Sequence, residues 1–258
     1  MKYENIVFET RERISQITLN RPKSFNALNG PLLLELGSAL KHLEDKDEAD
    51  VVILTGAGKA FCAGMDLNAL ADMQKSGNND LLQLVGDVIE KLRSLKLPVI
   101  AAVNGPALTG GLELVLACDI VLAAEEAIFG DTHARVGIMP GGGDSQLLPR
   151  LVGTVKAKEM LLASRLVSAA EAERIGLATR TVPNDKLALE SWGLAQSIRD
   201  NDRNIVRRLK ALINQGMRLD LNSALALERQ EFQVYLKEGL PPDFVERVKN
   251  ILTKKNRS

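Results

Sequence analysis

Aromatic side chains are scarce in this chain, with Phe, Trp and Tyr making up 3% of its 258 residues. That leaves too few stacking platforms for a protein that grips single-stranded nucleic acid. An excess of charge is missing as well. Lys and Arg number 33, as do Asp and Glu, so no global basic field recruits a polyanion, and no nucleic-acid partner is expected. The two cysteines, Cys62 and Cys118, lie far apart and form neither a disulfide framework nor a metal-spaced cluster. They read as small buried thiols in a reducing compartment. The two histidines, His42 and His133, have no carboxylates clustered around them in sequence, so no zinc site and no metal are expected. No apolar run approaches the about 18 residues that would suggest a membrane span. The first ten residues, MKYENIVFET, hold no apolar signal core. A soluble, cytoplasmic protein with no membrane partner is the expectation. No repeat of fixed period and no low-complexity tract appear.

What the chain does have is 45% apolar residues, enough for a sizeable core in one domain with an appendage. Its organising stretch is VIAAVNGPALTGGLELVLACDI, Val99–Ile120. Val99–Val103 reads as a buried strand, Asn104-Gly105-Pro106 as a turn, and Leu112–Cys118 as a helix opened by Thr109-Gly110-Gly111. Such a turn presents unpaired backbone N–H groups near the positive end of a helix, a natural seat for an oxyanion, with Glu113 in the first turn beside it.

Around this stretch the pattern alternates. Glu4–Thr10 and Ile14–Leu19 read as a hairpin, Asn29-Gly30-Pro31 as the start of a helix with a leucine stripe, and Val51–Thr55 as a second buried strand. His42 lies off the leucine stripe and is expected to be solvated. Asp66 is placed to cap a helix from Leu67, residues 72–79 read as a mobile loop, and Leu81–Leu95 as an amphipathic helix. Ile120–Ala123 and Glu125–Phe129 read as strands and Val136–Gly143 as a loop. Short helices over Ser145–Leu151, Val155–Ala163 and Ala169–Ile175 lead to a last strand at Ala178–Val182. From Asp185 onward all is helical: Lys186–Ile198, Asn204–Gly216, Asn222–Lys237 and Asp243–Leu252. The class is α/β, with a core over residues 1–198 and a helical region over 199–258.

Several site chemistries fail on spacing. Gly105–Gly110 has the glycine interval of a phosphate loop but is followed by Gly111-Leu112 rather than Lys-Ser/Thr. Gly56-Ala57-Gly58-Lys59-Ala60-Phe61 breaks the dinucleotide fingerprint at its last position, and no Gly-x-Ser-x-Gly elbow exists. Two strand-to-turn units remain, Ala63-Gly64 and Gly110-Gly111, each able to aim a backbone N–H. Converging on one oxygen they would stabilise an enolate formed from a thioester, at roughly 3–4 kcal/mol for each donor.

The strings ITLNRPKSFNALN (Ile17–Asn29), FCAGMDL (Phe61–Leu67), NGPALTGGLELVLACDI (Asn104–Ile120), FGDTHARVGIMPGGG (Phe129–Gly143) and SRLVSAAEAERIGLATRTVP (Ser164–Pro183) resemble, in order, the crotonases of the enoyl-CoA hydratase/isomerase superfamily. The resemblance covers nearly the whole chain. It implies a spiral of ββα turns whose C-terminal helices pack subunits into trimers or hexamers. It also implies an acyl-CoA as substrate, with no separate cofactor. Ala63 and Gly110 match the oxyanion-hole positions. Lys23, Ala27, Ala63, Asp66 and Leu67 match stretches that contact the CoA moiety, Lys23 offering a cation to phosphate. Leu225, Phe232 and Leu236 would be partly buried between subunits.

Hydratases of this family resemble one another in using two glutamates around a water. Glu113 matches the first. At the second position this chain carries His133, within Phe129-Gly130-Asp131-Thr132-His133. Histidine moves protons near neutrality, so a Glu113/His133 pair would hydrate a 2-enoyl thioester or shift its double bond. The rival of another class is a non-catalytic acyl-CoA-binding subunit with a degenerate site. Asp131 is a further carboxylate near His133. Asp144 is expected to cap the Ser145 helix. Arg135 is expected at the surface or an interface, and Cys62 in packing. Met65 and Met139 line the acyl pocket or fill the core.

Overall fold

The computed structural model describes residues 2–77 and 79–255, the stretch 250–255 by backbone alone. Contacts divide the chain into two compact units, the first ending at Arg207 and the second beginning at Arg208.

The first unit is a wound α/β body. Strands β1 (Ile6–Arg11) and β2 (Ile14–Leu19) pair antiparallel, Ile6 opposite Leu19 and Arg11 opposite Ile14. The turn between them places Glu12 and Arg13 at φ 50° and 61°, the geometry whose twist suits a two-residue hairpin. Helix α1 (Gly30–Asp45) follows, with Asn29 accepting the Leu32 N–H at 3.1 Å as its cap. Its stripe of Leu32, Leu33, Leu36, Leu40 and Leu43 is buried, as expected, each leucine contributing about 1.5–3 kcal/mol of burial. His42 departs from expectation. It is half-buried, its Nε2 lies 2.7 Å from Glu48 Oε1, and its ring meets Phe8 edge-on at 5.7 Å.

Strand β3 (Val51–Gly56) lies parallel to β2. Next come α2 (Leu67–Ser76), capped by Asp66, and α3 (Asp80–Ser94). Residues 72–76, expected in a mobile loop, complete α2, which ends where Gly77 turns left-handed at φ 66°. Asn78 of that expected loop lies outside the described residues. Strand β4 (Val99–Val103) pairs with β3, and β5 (Ala107–Leu108) leads into α4 (Gly110–Leu116). Strands β6 (Ile120–Ala124) and β7 (Ile128–Gly130) follow, the latter shorter than the Glu125–Phe129 run suggested. Helix α5 (His133–Val136) is a short turn that periodicity does not reveal. Then come α6 (Asp144–Val152), α7 (Thr154–Leu162), β8 (Val167–Ser168), α8 (Ala169–Arg174), β9 (Arg180–Val182) and α9 (Leu187–Arg199).

Six strands form the main sheet in the order β1-β2-β3-β4-β6-β9, and β5, β7 and β8 form a second, short sheet. Parallel bridges from Leu28 to Met65 and from Cys62 to Ala107 extend the short layer. Each turn of chain therefore adds one rung to the long sheet, one to the short layer, and a helix. This is the ββα spiral that the sequence resemblance implies. Both faces of the main sheet are covered, which is why its parallel strands read as continuous apolar runs. Val52, Leu54, Val99, Ala101 and Val103 face α1, α3 and α4, whereas Val51, Ile53, Ile100, Ala102 and Leu122 face α9.

Helix α10 (Arg203–Gly216) carries the chain into the second unit, which is helical. Its α11 (Leu221–Glu238) is capped by Asp220, which accepts the Ser223 N–H at 3.1 Å, and α12 (Phe244–Lys255) follows. Leu225, Phe232 and Leu236 on α11 are exposed in the single chain.

Candidate active site

The site is assembled from loops at one end of the parallel strands of the first unit. The Phe61–Leu67 segment follows β3, Thr109–Glu113 follows β5, Asp131–His133 follows β7, and Gly141–Asp144 opens α6. Close backbone approach sets the geometry. A Cβ on Gly111 would stand 2.1 Å from the Cys62 carbonyl oxygen, so only glycine lets α4 begin against that segment. Thr109, just before α4, is held at φ 55° and ψ −114°, an unusual conformation for a β-branched residue. It is tied down by its N–H to Gly130 O at 2.8 Å and by its hydroxyl to that of Thr132 at 2.7 Å.

Which N–H groups are available is a matter of hydrogen-bond accounting. The Ala63 N–H, expected to face an oxyanion, donates to the Phe25 carbonyl at 3.0 Å. It is engaged within the fold, and this corrects the assignment of Ala63 as a donor. Two residues on, Met65 sits in the parallel bridge with Leu28, whose N–H goes to Gly64 O and whose carbonyl takes the Asp66 N–H. The Met65 N–H is left with no partner among the described residues. Gly110 is the first residue of α4, so its N–H has no partner within the helix. The two segments touch, since a Cβ on Gly110 would lie 3.8 Å from Gly64 Cα and 3.9 Å from its carbonyl carbon. Met65 lines a cavity of about 160 Å³, and Gly110 follows its lining residue Thr109, so the two segments bring together N–H groups with no partner among the described residues. Met65, Leu82, Val85, Ile138 and Met139 supply apolar wall, Ala63 and Leu67 contribute to it, and Glu113 and His133 face into it.

Glu113 is almost fully buried. Its Oε1 accepts the Gly142 N–H at 2.5 Å, and a Cβ on Gly142 would collide with Glu113 Cδ at 2.6 Å and Ile89 Cδ1 at 2.3 Å. Burial pushes the Glu113 carboxyl above its ordinary value; the Gly142 N–H and the neighbouring His133 offset this in part. His133, also buried, places Nδ1 2.9 Å from Asp131 Oδ1, the same oxygen that accepts the His133 backbone N–H at 2.6 Å. Burial works against the Asp131 carboxylate, yet the bonds from His133 and the contact with Asp144 outweigh it and hold Asp131 below the usual range.

Asp144 is not the cap the sequence suggests. Gly143, at φ 112°, starts the helix one residue early, and Asp144 becomes its first residue, with no side-chain cap bond formed. The carboxyl instead points inward, fully buried, with one oxygen 3.9 Å from His133 Nδ1. Burial, then the contact with Asp131, then the charges of Glu113 and Asp131 push it up to about 10.

The expected CoA-contacting residues divide. Lys23 is exposed on a 3-10 turn and makes no ion pair among the described residues. Ala27 is buried, and its carbonyl accepts from Arg21 Nη1. Asp66 is engaged in capping α2 and in an ion pair with Arg21 at 2.9 Å. Leu67 is exposed at the cavity rim. Arg135 is exposed and donates to Ser164 O at 3.2 Å. Cys62 is fully buried and burial pushes its thiol up to about 12, which fits packing rather than chemistry. Two contributors were not singled out from sequence: the Met65 N–H and the Gly142 N–H. The glycine run Gly141-Gly142-Gly143 is the only signal for the second.

Comparison with known proteins gives a consistent picture. The family model for enoyl-CoA hydratase/isomerase matches residues 9–252. The chain is 37% identical to the crotonyl-CoA hydratase of Syntrophomonas wolfei, covering 98% of this chain and 100% of that one. It is 39% identical to the short-chain-enoyl-CoA hydratase of Clostridium acetobutylicum, over 90% of this chain and 89% of that one. The crystal structure of an enoyl-CoA hydratase from Bacillus anthracis superposes with a TM-score of 0.91 at 38% identity, over 97% of both chains.

Proposed function

The chain belongs to the enoyl-CoA hydratase/isomerase family, and on that premise we propose that it adds water across the double bond of a 2-enoyl-CoA thioester. The observation that carries this reading is the meeting of Glu113 and His133 in one cavity beside the unpartnered N–H groups of Met65 and Gly110. Those N–H groups donate to the thioester carbonyl and hold the negative charge that develops on its oxygen when the β-carbon is attacked. His133 takes a proton from water through Nε2, because Nδ1 is committed to Asp131 and the carboxylate stabilises the imidazolium. The water oxygen bonds to the β-carbon, and the electron pair of the double bond passes into the enolate. Glu113, whose burial favours its protonated form, delivers a proton to the α-carbon and closes the addition. A proton then returns from His133 to Glu113, so one water is consumed and the enzyme is restored.

Lys23 is proposed to meet a CoA phosphate from its exposed turn, with Leu67 and Met139 at the rim beside the thioester arm. The exposed Leu225, Phe232 and Leu236 support a homotrimer or hexamer, and light scattering that returns a monomer at working concentration contradicts it. A cytoplasmic setting fits Cys62, a fully buried thiol that packs rather than reacts. Among the described residues no helix is long and apolar enough to cross a membrane.

The test is a panel of 2-enoyl-CoA thioesters of increasing chain length, followed by loss of the conjugated absorbance. Thioesters that bind but never turn over would sink the reading and favour a binding subunit. Reaction in heavy-oxygen water separates hydration from double-bond migration, since only hydration carries label into product.

A further inference from the structure

Glu113, Asp131 and Asp144 reach one small volume from α4, from the end of β7 and from the start of α6. Among the described residues no Lys or Arg pairs with any of them, and His133 is the single basic group they share. Asp144 is the anomaly. It has no exposed surface, and among the described residues neither of its oxygens meets a hydrogen-bond donor. As an ion it would be a buried charge with nothing to hold it, an arrangement that costs several kcal/mol. Two ionised carboxylates are acceptors only, so Asp131 and Asp144 cannot bond to each other in that state. A single proton between them turns the contact into a short charge-assisted bond. That proton belongs on Asp144, because Asp131 already accepts the His133 backbone N–H at 2.6 Å and stands 2.9 Å from its Nδ1, whereas Asp144 has neither contact at bonding distance.

We propose that Asp144 is a positioning residue whose carboxyl O–H donates to Asp131, so that Asp131 holds His133 as the Nδ1–H tautomer with Nε2 turned to the cavity. The chain of contact runs Asp144 to Asp131 to His133, from the start of α6 to the segment after β7. It replaces, with a neutral acid, the cation that would ordinarily steady such an aspartate. Burial and the neighbouring charges of Asp131 and Glu113 act in the same direction, keeping the proton on Asp144 through neutrality. The effect on rate rests on the hydration reading above; the effect on the imidazole does not.

The experiment uses 15N-labelled histidine in the full-length protein. Only two imidazoles are present, and His42, whose Nε2 lies beside Glu48, serves as internal reference. The neutral His133 ring is expected as the Nδ1–H tautomer in the parent protein and in Asp144→Asn, whose amide replaces the O–H donor. In Asp144→Ala both tautomers should appear, with kcat down about tenfold or more and KM within about twofold. An Nε2–H tautomer in the parent protein overturns the proposal. So does an Asp144→Asn variant as impaired as Asp144→Ala, which would mean the site needs a charge there. Selective broadening of His133 by added Mn²⁺ also overturns it, because a divalent cation would then be held by Asp131, His133 and Asp144, whose ligand atoms lie within 4.8 Å of one another. If Asp144→Ala does not fold, the parent and Asp144→Asn spectra still decide. If the tautomer pattern holds and no thioester is hydrated, the reading of the reaction falls and the positioning role stands.

Discussion

Asp47 and Asp50 stand among Arg13, Arg203 and Arg207, whereas Glu113, Asp131 and Asp144 share one imidazole. The two acid clusters lie in the same unit and have similar composition, yet they behave in opposite ways. Bonds from Arg203, and then from Arg13, hold the Asp47 carboxyl well below its ordinary range. Without such cations, burial drives Glu113 and Asp144 upward. In the first cluster the acids serve as anchors, in a partly solvated setting where screening limits what each pair adds. In the second, Glu113 favours its protonated form beside the cavity and Asp144 keeps a proton against Asp131, which is itself held low. What separates an anchor from a proton carrier here is the company of the carboxylate rather than its identity.

That contrast can be broken most sharply at Glu113. Glu113→Gln preserves shape and removes the exchangeable acid, so kcat for hydration should fall about 10³-fold while the thioester still binds. Next in size is Gly142→Ala. Its Cβ would displace both Ile89 and Glu113, and a loss of about 10²-fold in kcat with a lowered Tm is expected from such overpacking.

Stability against pH should then split the clusters. Asp144 is raised above its unfolded value, so its contribution is most favourable in acid, and a cost accumulates as pH climbs from about 4 towards about 10. Asp47 is lowered, so its contribution is present above about 4 and lost as pH falls below that. Thermal melts should therefore show Asp144→Asn gaining on the parent as pH rises, by at most about 1.4 kcal/mol per unit. A gap that stays flat contradicts the neutral acid. Asp50→Ala is expected to cost about 2 kcal/mol in a urea titration by removing the acceptor of Arg13, with kcat unchanged. Smallest of all, Lys23→Ala should raise KM about fivefold through one exposed contact to phosphate, with kcat unaffected.

Much of this was legible in the residues. The order of strands and helices, the leucine stripe of α1, the Asp66 cap, and Glu113 in the first turn of α4 follow from periodicity and turn chemistry. The Glu113/His133 pairing was readable only because the strings resemble a family. What stayed hidden depends on neighbours distant in sequence. Ala63 and Met65 both flank Gly64, and only the Phe25 carbonyl and the Leu28 bridge decide which N–H is left over. Asp144 follows a glycine and precedes a helix, the usual signature of a cap. The left-handed Gly143 shifts the helix start by one residue and turns the carboxyl inward. His42 is drawn from solvent by Glu48 beyond the end of its helix and by Phe8 on the hairpin, contacts that no stripe of leucines reveals.

The winding of the chain has a consequence for how such a site comes into being. The orphan N–H of Met65, the Gly110–Glu113 turn, and the Asp131–His133 and Asp144 groups arrive from successive coils, and each coil leans on the one before it. During synthesis the carbonyl-binding donors of Met65 and Gly110 are made first, but the groups that move protons are complete only once His133 has followed Glu113 and Asp144 has folded back against Asp131. A ribosome-held chain should therefore stay inert to its substrate until then, and amide protection in the three loops should rise together rather than one after another.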